Sequence, residues 1–111
     1  MVSGLELFDL NGKTALITGS SQGIGYALAK GLADAGSDII LNGRNIEKLK
    51  QSAESINTKQ KIFRLCFDVT DYEQIKQSID KFEKEISPID ILINNAGMQF
   101  RSALEDFPRE K

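Results

Sequence analysis

Thr14-Ala15-Leu16-Ile17-Thr18-Gly19-Ser20-Ser21-Gln22-Gly23-Ile24-Gly25 is the stretch on which the fold turns. An apolar run rich in β-branched residues meets three glycines, and a helical pattern follows at once. The run Thr14–Thr18 is nearly continuous rather than alternating, which is the pattern of a strand buried on both faces of a parallel sheet. Each glycine has a physical purpose in a strand-to-helix turn. Gly19 permits the tight turn, Gly23 lets the backbone approach a pyrophosphate with no Cβ in the way, and Gly25 lets the helix pack closely on the sheet. The helix N-terminus then offers free N–H groups and the positive end of its dipole to phosphate. The hydroxyls of Thr18, Ser20 and Ser21 are expected to add donors. The spacing is Gly-x-x-x-Gly-x-Gly, not the general dinucleotide fingerprint Gly-x-Gly-x-x-Gly, and read alone it also fits a glycine-rich turn without a ligand. Gly12, before the strand, has no comparable duty.

Outward from this turn, three more apolar runs predict strands: Asp38–Asn42, Ile62–Phe67 and Ile89–Ile93. Between them, apolar residues recur at helical spacing. Ile24, Leu28 and Leu32, with Ala27 and Gly31 beside them, predict the buried stripe of a first helix. Ile46, Leu49, Ala53 and Ile56 predict a second, and Ile75, Ile79, Phe82 and Ile86 a third. Gly36 suits the end of the first helix, and Ser87-Pro88 stops the third. Thr70 and Glu73 have the spacing of a capping box at the third helix's start. Strands alternating with helices mean parallel strands joined by right-handed crossovers. After Gly97 the pattern reads as a loop, with a further helix starting near Pro108.

Composition narrows the function. The chain has 111 residues, 14 Lys or Arg against 16 Asp or Glu, and a formal net charge of -2. That length suits one domain. With no basic stripe to neutralise phosphates, a nucleic-acid binder is disfavoured. No run of 18 apolar residues is present, so no membrane span is expected, and Met1–Lys13 lacks the pattern of a signal peptide. One cysteine, Cys66, excludes an internal disulfide and fits a cytoplasmic protein. Within its apolar run Cys66 is expected to be a small buried hydrophobe. There is no histidine, so imidazole catalysis and His-ligated metal sites are excluded. Asp90, at the start of the fourth strand, is expected to pair with a nearby backbone or basic group.

A second signal is Asn94-Asn95-Ala96-Gly97, directly after the fourth strand. In a doubly wound sheet the strand order reverses beside strand one, so the carboxyl ends of strands one and four flank the ligand crevice. Asn side chains there can tie neighbouring strand ends together, while Ala96 and Gly97 leave room for a ribose. Either pair alone would read as an ordinary turn.

Thr18-Gly19-x-x-x-Gly23-Ile24-Gly25, Asp68-Val69 after strand three and Asn94-Asn95-Ala96-Gly97 after strand four, in this order, resemble the short-chain dehydrogenase/reductases. The resemblance covers essentially the whole chain. It implies an α/β, Rossmann-type doubly wound parallel sheet, here its N-terminal part only, with strand order 3-2-1-4 and flanking helices. Within the family, the chain is most similar to the branch acting on gluconate. Leu7-Phe8-Asp9-Leu10-x-Gly12-Lys13, Leu41-Asn42-Gly43-Arg44-Asn45, Asn94–Gln99 with Arg101, and Leu104–Phe107 carry that likeness. Arg101 is placed either to meet a sugar-acid carboxylate or as a loop arginine, and Gln99 beside it to face the substrate.

The resemblance implies a cofactor site made of Gly19, Ser20, Ser21, Gln22, Gly23, Ile24, Gly25, Arg44, Asp68, Val69, Asn95, Ala96 and Gly97. Asp68 would meet the adenine amino group; the alternative is an acid that starts the third helix. Many dinucleotide sites hold the ribose 2′-hydroxyl with a carboxylate at the end of strand two. Gly43 stands there instead, and Arg44 beside it offers planar, permanently charged donors suited to phosphate. The cofactor expected is therefore NADP, with NAD as the alternative. Gln22 is a departure, since NADP-preferring relatives often carry a second basic residue in the glycine turn.

Tyr26 and Lys30 have the family's catalytic Tyr-x-x-x-Lys spacing, but they lie directly after the glycine turn rather than on the later helix where the family carries that pair. They are expected to be structural. The family's catalytic Ser, Tyr, Lys and Asn are then missing from residues 1–111, so no catalytic residue is assigned. The chain is expected to be the cofactor-binding part of one Rossmann-fold domain, inactive alone. The parent would act on a small sugar acid, bind neither nucleic acid nor membrane, and form a homo-tetramer or dimer. The alternatives are a non-catalytic nucleotide-binding module, another short-chain reductase such as a 3-oxoacyl reductase, or a methyltransferase. Arg44 weighs against the last, which has no 2′-phosphate to bind.

Overall fold

Strands and helices alternate as the apolar pattern requires: β1 (Thr14–Ile17), α1 (Gly23–Asp34), β2 (Asp38–Gly43), α2 (Ile46–Ser55), β3 (Ile62–Cys66), α3 (Tyr72–Glu85) and β4 (Ile91–Ile93). The structure is a computed structural model and describes residues 9–95. The loop expected after Gly97 and the helix expected near Pro108 lie outside the described residues. The four strands form one parallel sheet in the order β3-β2-β1-β4. This is the N-terminal arrangement of a Rossmann-type doubly wound fold.

The central strands explain their own composition. Ala15, Leu16 and Ile17 of β1 and Ile39, Ile40 and Leu41 of β2 are wholly buried, because helices cover both faces. Alternate residues feed two cores. Ala15, Ile17, Ile39 and Leu41 pack against Ala29 and Ala33 of α1 and Leu49 of α2. Leu16 and Ile40 face the other way, onto Phe82 of α3 and Phe67. Each fully buried Leu, Ile or Phe contributes about 1.5–3 kcal/mol. Phe63 meets Phe82 edge to face at 5.0 Å, a geometry favoured by the ring quadrupoles.

The buried stripe of α1 differs from the expected one. Ile24 is 69% exposed, whereas Gly25, Ala29 and Ala33 face the sheet. Both stripes step by four residues, so periodicity does not separate them. Distance of approach does: a Cβ on Gly25 would lie 2.5 Å from Gly19 O and 2.5 Å from Asn95 Nδ2. A helix this close to its sheet accepts only small residues at the contact. The ends of the other two stripes are also open. Ile46 at the start of α2 and Ile86 just after α3 are exposed, while Leu49, Ile56 and Phe82 hold the buried positions.

The caps are similarly specific. Asn45 caps α2 by accepting from Lys48 N–H at 3.0 Å, and Asp71 caps α3 by accepting from Gln74 N–H at 3.1 Å. The expected Thr70–Glu73 box is absent: the cap is Asp71, one residue later, and the Gln74 side chain accepts from Asp68 N–H at 3.1 Å instead of closing a box. Cys66 is exposed, not buried. β3 is an edge strand: Ile62 packs on the core of α1 and α2 and Phe63 and Leu65 on that of α3, while Arg64 and Cys66 toward its far end stay exposed. Asp90 behaves as expected: its carboxylate accepts from Thr14 N–H at 2.9 Å, which anchors the chain to β1 just before β4.

Candidate functional site

The carboxyl ends of β1, β2 and β3 open on a cleft of about 400 Å³, lined by the glycine turn, by Asn42–Arg44 and by Phe67–Thr70. Asn42 fixes this end of the sheet. It is buried, its Oδ1 accepts from Gly19 N–H at 2.9 Å, and its Nδ2 donates to Leu65 O at 3.0 Å and Phe67 O at 3.2 Å. One side chain thereby joins the ends of three strands. Ser20 completes the clasp: its N–H donates to Asn42 O at 2.8 Å, and its hydroxyl accepts from Asn42 N–H at 2.9 Å and donates to Ile17 O at 2.6 Å.

This corrects the expectation that the Ser20 hydroxyl faces a ligand; it is buried and fully engaged inside. The Thr18 hydroxyl is also turned inward, donating to Asn94 Oδ1 at 3.1 Å. Asn95 lies beneath the turn, 2% exposed, with Nδ2 donating to Gly19 O at 3.0 Å. The expected tie between the ends of β1 and β4 is present. Ala96 and Gly97 lie outside the described residues.

The turn itself is held open. Gly19 and Gly23 have φ of 59° and 66°, a backbone that glycine adopts without penalty. α2 braces the turn from below through the Ser52 hydroxyl, which donates to Ser21 O. The first N–H groups of any helix lack intrahelical acceptors. In α2 and α3 a side chain caps them, but Gln22, at the N-cap of α1, makes no such bond. Its side chain points elsewhere, and Gln22 Oε1 accepts from Lys48 Nζ at 2.6 Å. An uncapped helix start beside a cleft is an anion site in both charge and geometry.

Across the cleft stand Arg44 and Asp68. A Cβ at Gly43 would lie 3.2 Å from Ser21 Oγ, a tight contact that the Ser21 side chain would relieve only by a small shift. Gly43 carries no carboxylate, and Arg44 is the first side chain beyond it. Its guanidinium is 76% exposed and lies 3.9 Å from Asp68 Oδ2. Asp68 Oδ1 accepts from the Thr70 hydroxyl at 2.7 Å and from Thr70 N–H at 2.9 Å. The Thr70 hydroxyl, then the Thr70 N–H and, more weakly, Arg44 hold this carboxyl below the usual carboxylate range. Asp68 is therefore an acceptor at neutral pH, on the wall opposite the glycine turn.

Of the residues singled out in the sequence, Gly19, Ser21, Gln22, Arg44, Asp68 and Val69 line the cleft, and Gly23, Ile24 and Gly25 form the first turn of α1. Asn42, Phe67, Thr70 and Lys48 were not singled out for the site. A polar Asn closing the run Ile39-Ile40-Leu41-Asn42 is a signal that a buried amide has partners to satisfy. Tyr26 and Lys30 take no part: the Tyr26 hydroxyl meets Ser55 Oγ on α2, and Lys30 Nζ lies 5.6 Å from the Tyr26 ring centre. Among the described residues no cluster of metal-ligating side chains is present, and no helix is long and apolar enough to cross a membrane.

Residues 13–111 match the short chain dehydrogenase family. The chain is 46% identical over 106 residues to a gluconate 5-dehydrogenase of Gluconobacter oxydans (strain 621H), covering 95% of this chain and 41% of that protein. It is similar in structure to a gluconate 5-dehydrogenase from Burkholderia cenocepacia J2315 in complex with NADP and tartrate. The TM-score there is 0.72 at 43% identity, over 81% of this chain and 36% of that one. An L-sorbose reductase from Gluconobacter frateurii, complexed with NADPH and L-sorbose, gives a TM-score of 0.73 at 35% identity, over 80% and 35% of the two chains. The chain spans about two fifths of the length of the curated relatives it matches.

Proposed function

The chain belongs to the short-chain dehydrogenase family, and on that premise we propose that it is the cofactor-holding part of an NADP-dependent oxidoreductase interconverting gluconate and its 5-keto acid. The observation that carries this reading is the cleft, with an uncapped glycine turn on one wall and Arg44, with no carboxylate at Gly43, on another. The N–H groups at the start of α1 hold the pyrophosphate, and Gly23, whose Cβ would meet no atom within 4 Å, leaves the approach clear. Asp68 accepts from the adenine amino group, beside the Val69 backbone. Arg44 turns from Asp68 to the 2′-phosphate. Asn95 keeps the turn against β4 and, with Ala96 and Gly97, borders the ribose next to the nicotinamide. When bound, the cofactor supplies the hydride acceptor or donor, while these residues orient it.

In this reading the Ser, Tyr and Lys that handle the substrate proton belong to the part of the family fold not represented in residues 1–111. Tyr26, tied to Ser55, provides no substitute, so the chain binds cofactor without turning over substrate. The sugar-acid assignment is supported by likeness to the gluconate enzymes. A parent that is a cytoplasmic tetramer or dimer belongs to the same proposal.

The test is titration of NADP and NAD into wild type and Arg44→Ala. A charge-assisted contact to an exposed guanidinium is worth about tenfold in affinity. Arg44→Ala is expected to weaken NADP by about that factor and to leave NAD nearly unchanged. Equal weakening of both cofactors would overturn the assignment of Arg44.

A further inference from the structure

The glycine turn carries a cation that its own sequence lacks. Gln22 lines the cleft, and its Oε1 holds the ammonium of Lys48, which arrives from the first turn of α2. We propose that Lys48 is a second phosphate-binding cation of this site, specific for the 2′-phosphate, and that Gln22 is its positioning residue. The proposal rests on the NADP reading above and deepens it.

The argument is one of charge. A phosphomonoester carries about 1.5 to 2 negative charges at neutral pH. Arg44 brings one positive charge, already shared with Asp68 at 3.9 Å. Lys48, by contrast, is held by a neutral amide, so its partner cancels none of its charge. Glu47 is the acidic group in the same helical turn, and no ion pair joins it to Lys48 among the described residues. The side chain's reach is also fixed. Asn45 caps Lys48 N–H at 3.0 Å, which sets the start of α2, and the 2.6 Å bond to Gln22 holds the ammonium beside a residue of the cleft lining. A ribose phosphate seated beside Gly43 would lie between Arg44 at the end of β2 and Lys48 at the start of α2. An exposed lysine with no such role would extend into solvent, where its entropy is greatest.

Calorimetric titration of NADP and of NAD into the full chain tests this, with Lys48→Met, Lys48→Arg, Gln22→Leu and Arg44→Ala beside wild type. Lys48→Met is expected to weaken NADP about three- to tenfold while NAD changes by less than about twofold. Lys48→Arg should restore NADP to within about twofold, and Gln22→Leu should produce a smaller, NADP-selective loss. Unchanged NADP affinity in Lys48→Met, or equal loss of both cofactors, overturns the role of Lys48. If Arg44→Ala is NADP-selective and Lys48→Met is not, the NADP reading stands and Lys48 alone is wrong. A wild type that binds NADP no better than NAD overturns both. Lys48 is exposed, so melting temperatures close to wild type are expected and exclude misfolding as the cause.

Discussion

Gly12 and Gly23 share a backbone conformation and differ in what they face. Their φ angles are 83° and 66°, and a Cβ at either would meet no atom within 4 Å. Alanine in this left-handed region costs roughly 1–2 kcal/mol at either position. Sequence pattern gave Gly12 no part in the cofactor site, and its φ adds a conformational role that an apolar pattern does not show. The pair also makes a controlled experiment. Gly12→Ala and Gly23→Ala are expected to lose similar stability in chemical denaturation, about 1 kcal/mol each. Only Gly23→Ala should also lose cofactor affinity, since only its new methyl group stands where the pyrophosphate approaches. Equal affinity in the two variants would take Gly23 out of the site. Much of the site was legible in the sequence at this scale. Gly19, Arg44, Asp68 and Val69 follow strand ends in chain order, and strand ends are where a parallel sheet puts its ligand. Ser20 was misread because a hydroxyl's direction depends on the partner opposite it, here Asn42. Lys48 was missed because its meeting with Gln22 joins two elements 26 residues apart.

Between elements, one amide clasps three strand ends. Asn42 satisfies Gly19 N–H, Leu65 O and Phe67 O at once, so it links the glycine turn to β2 and to the chain leaving β3. Removing it leaves these backbone groups, Phe67 O the most deeply buried, without their partner, at about 1–3 kcal/mol for each group left unsatisfied. Asn42→Ala is expected to destabilise the chain by roughly 2–4 kcal/mol, measured by urea denaturation. It should also broaden or shift the amide resonance of Gly19 while leaving those of α3 in place. A loss below about 0.5 kcal/mol, the ordinary range for surface substitutions, would show that the clasp is not needed. The same scale explains what sequence could and could not tell about the fold. Continuous apolar runs in β1 and β2 specify strands covered on both faces, and the strand order came with the family resemblance that the glycine turn, Asp68-Val69 and Asn94–Gly97 carry. Helix faces were less legible. The α1 contact is made by Gly25, Ala29 and Ala33, the residues least marked by hydrophobicity, because closeness rather than apolar area selects them. Cys66 was misplaced for the related reason that the far end of an edge strand is only partly covered.

At the scale of the whole molecule, the two edges of the sheet are unequal. Leu16 of β1 pairs in register with Leu92 of β4, so both point to the face that α3 covers. Leu16 is fully buried there, yet Leu92 is 60% exposed. α3 shields the middle of that face and leaves the β4 side open. Among the described residues β4 pairs only with β1, so its outer N–H and C=O groups are available to another strand. An apolar edge of this kind is a template for edge-to-edge pairing. Ile24, also exposed on α1, adds apolar surface on the opposite face. The 111-residue chain alone is therefore expected to self-associate through β4. Sedimentation velocity should show a weight-average mass that rises with concentration across the micromolar range. Leu92→Lys is the discriminating variant: its site is open, so folding should survive, while a charge on the edge strand opposes pairing. Association that is relieved in Leu92→Lys locates the contact at β4. Association unchanged in that variant would place the contact elsewhere, and a wild-type chain that stays monomeric throughout would mean that the open edge is already protected.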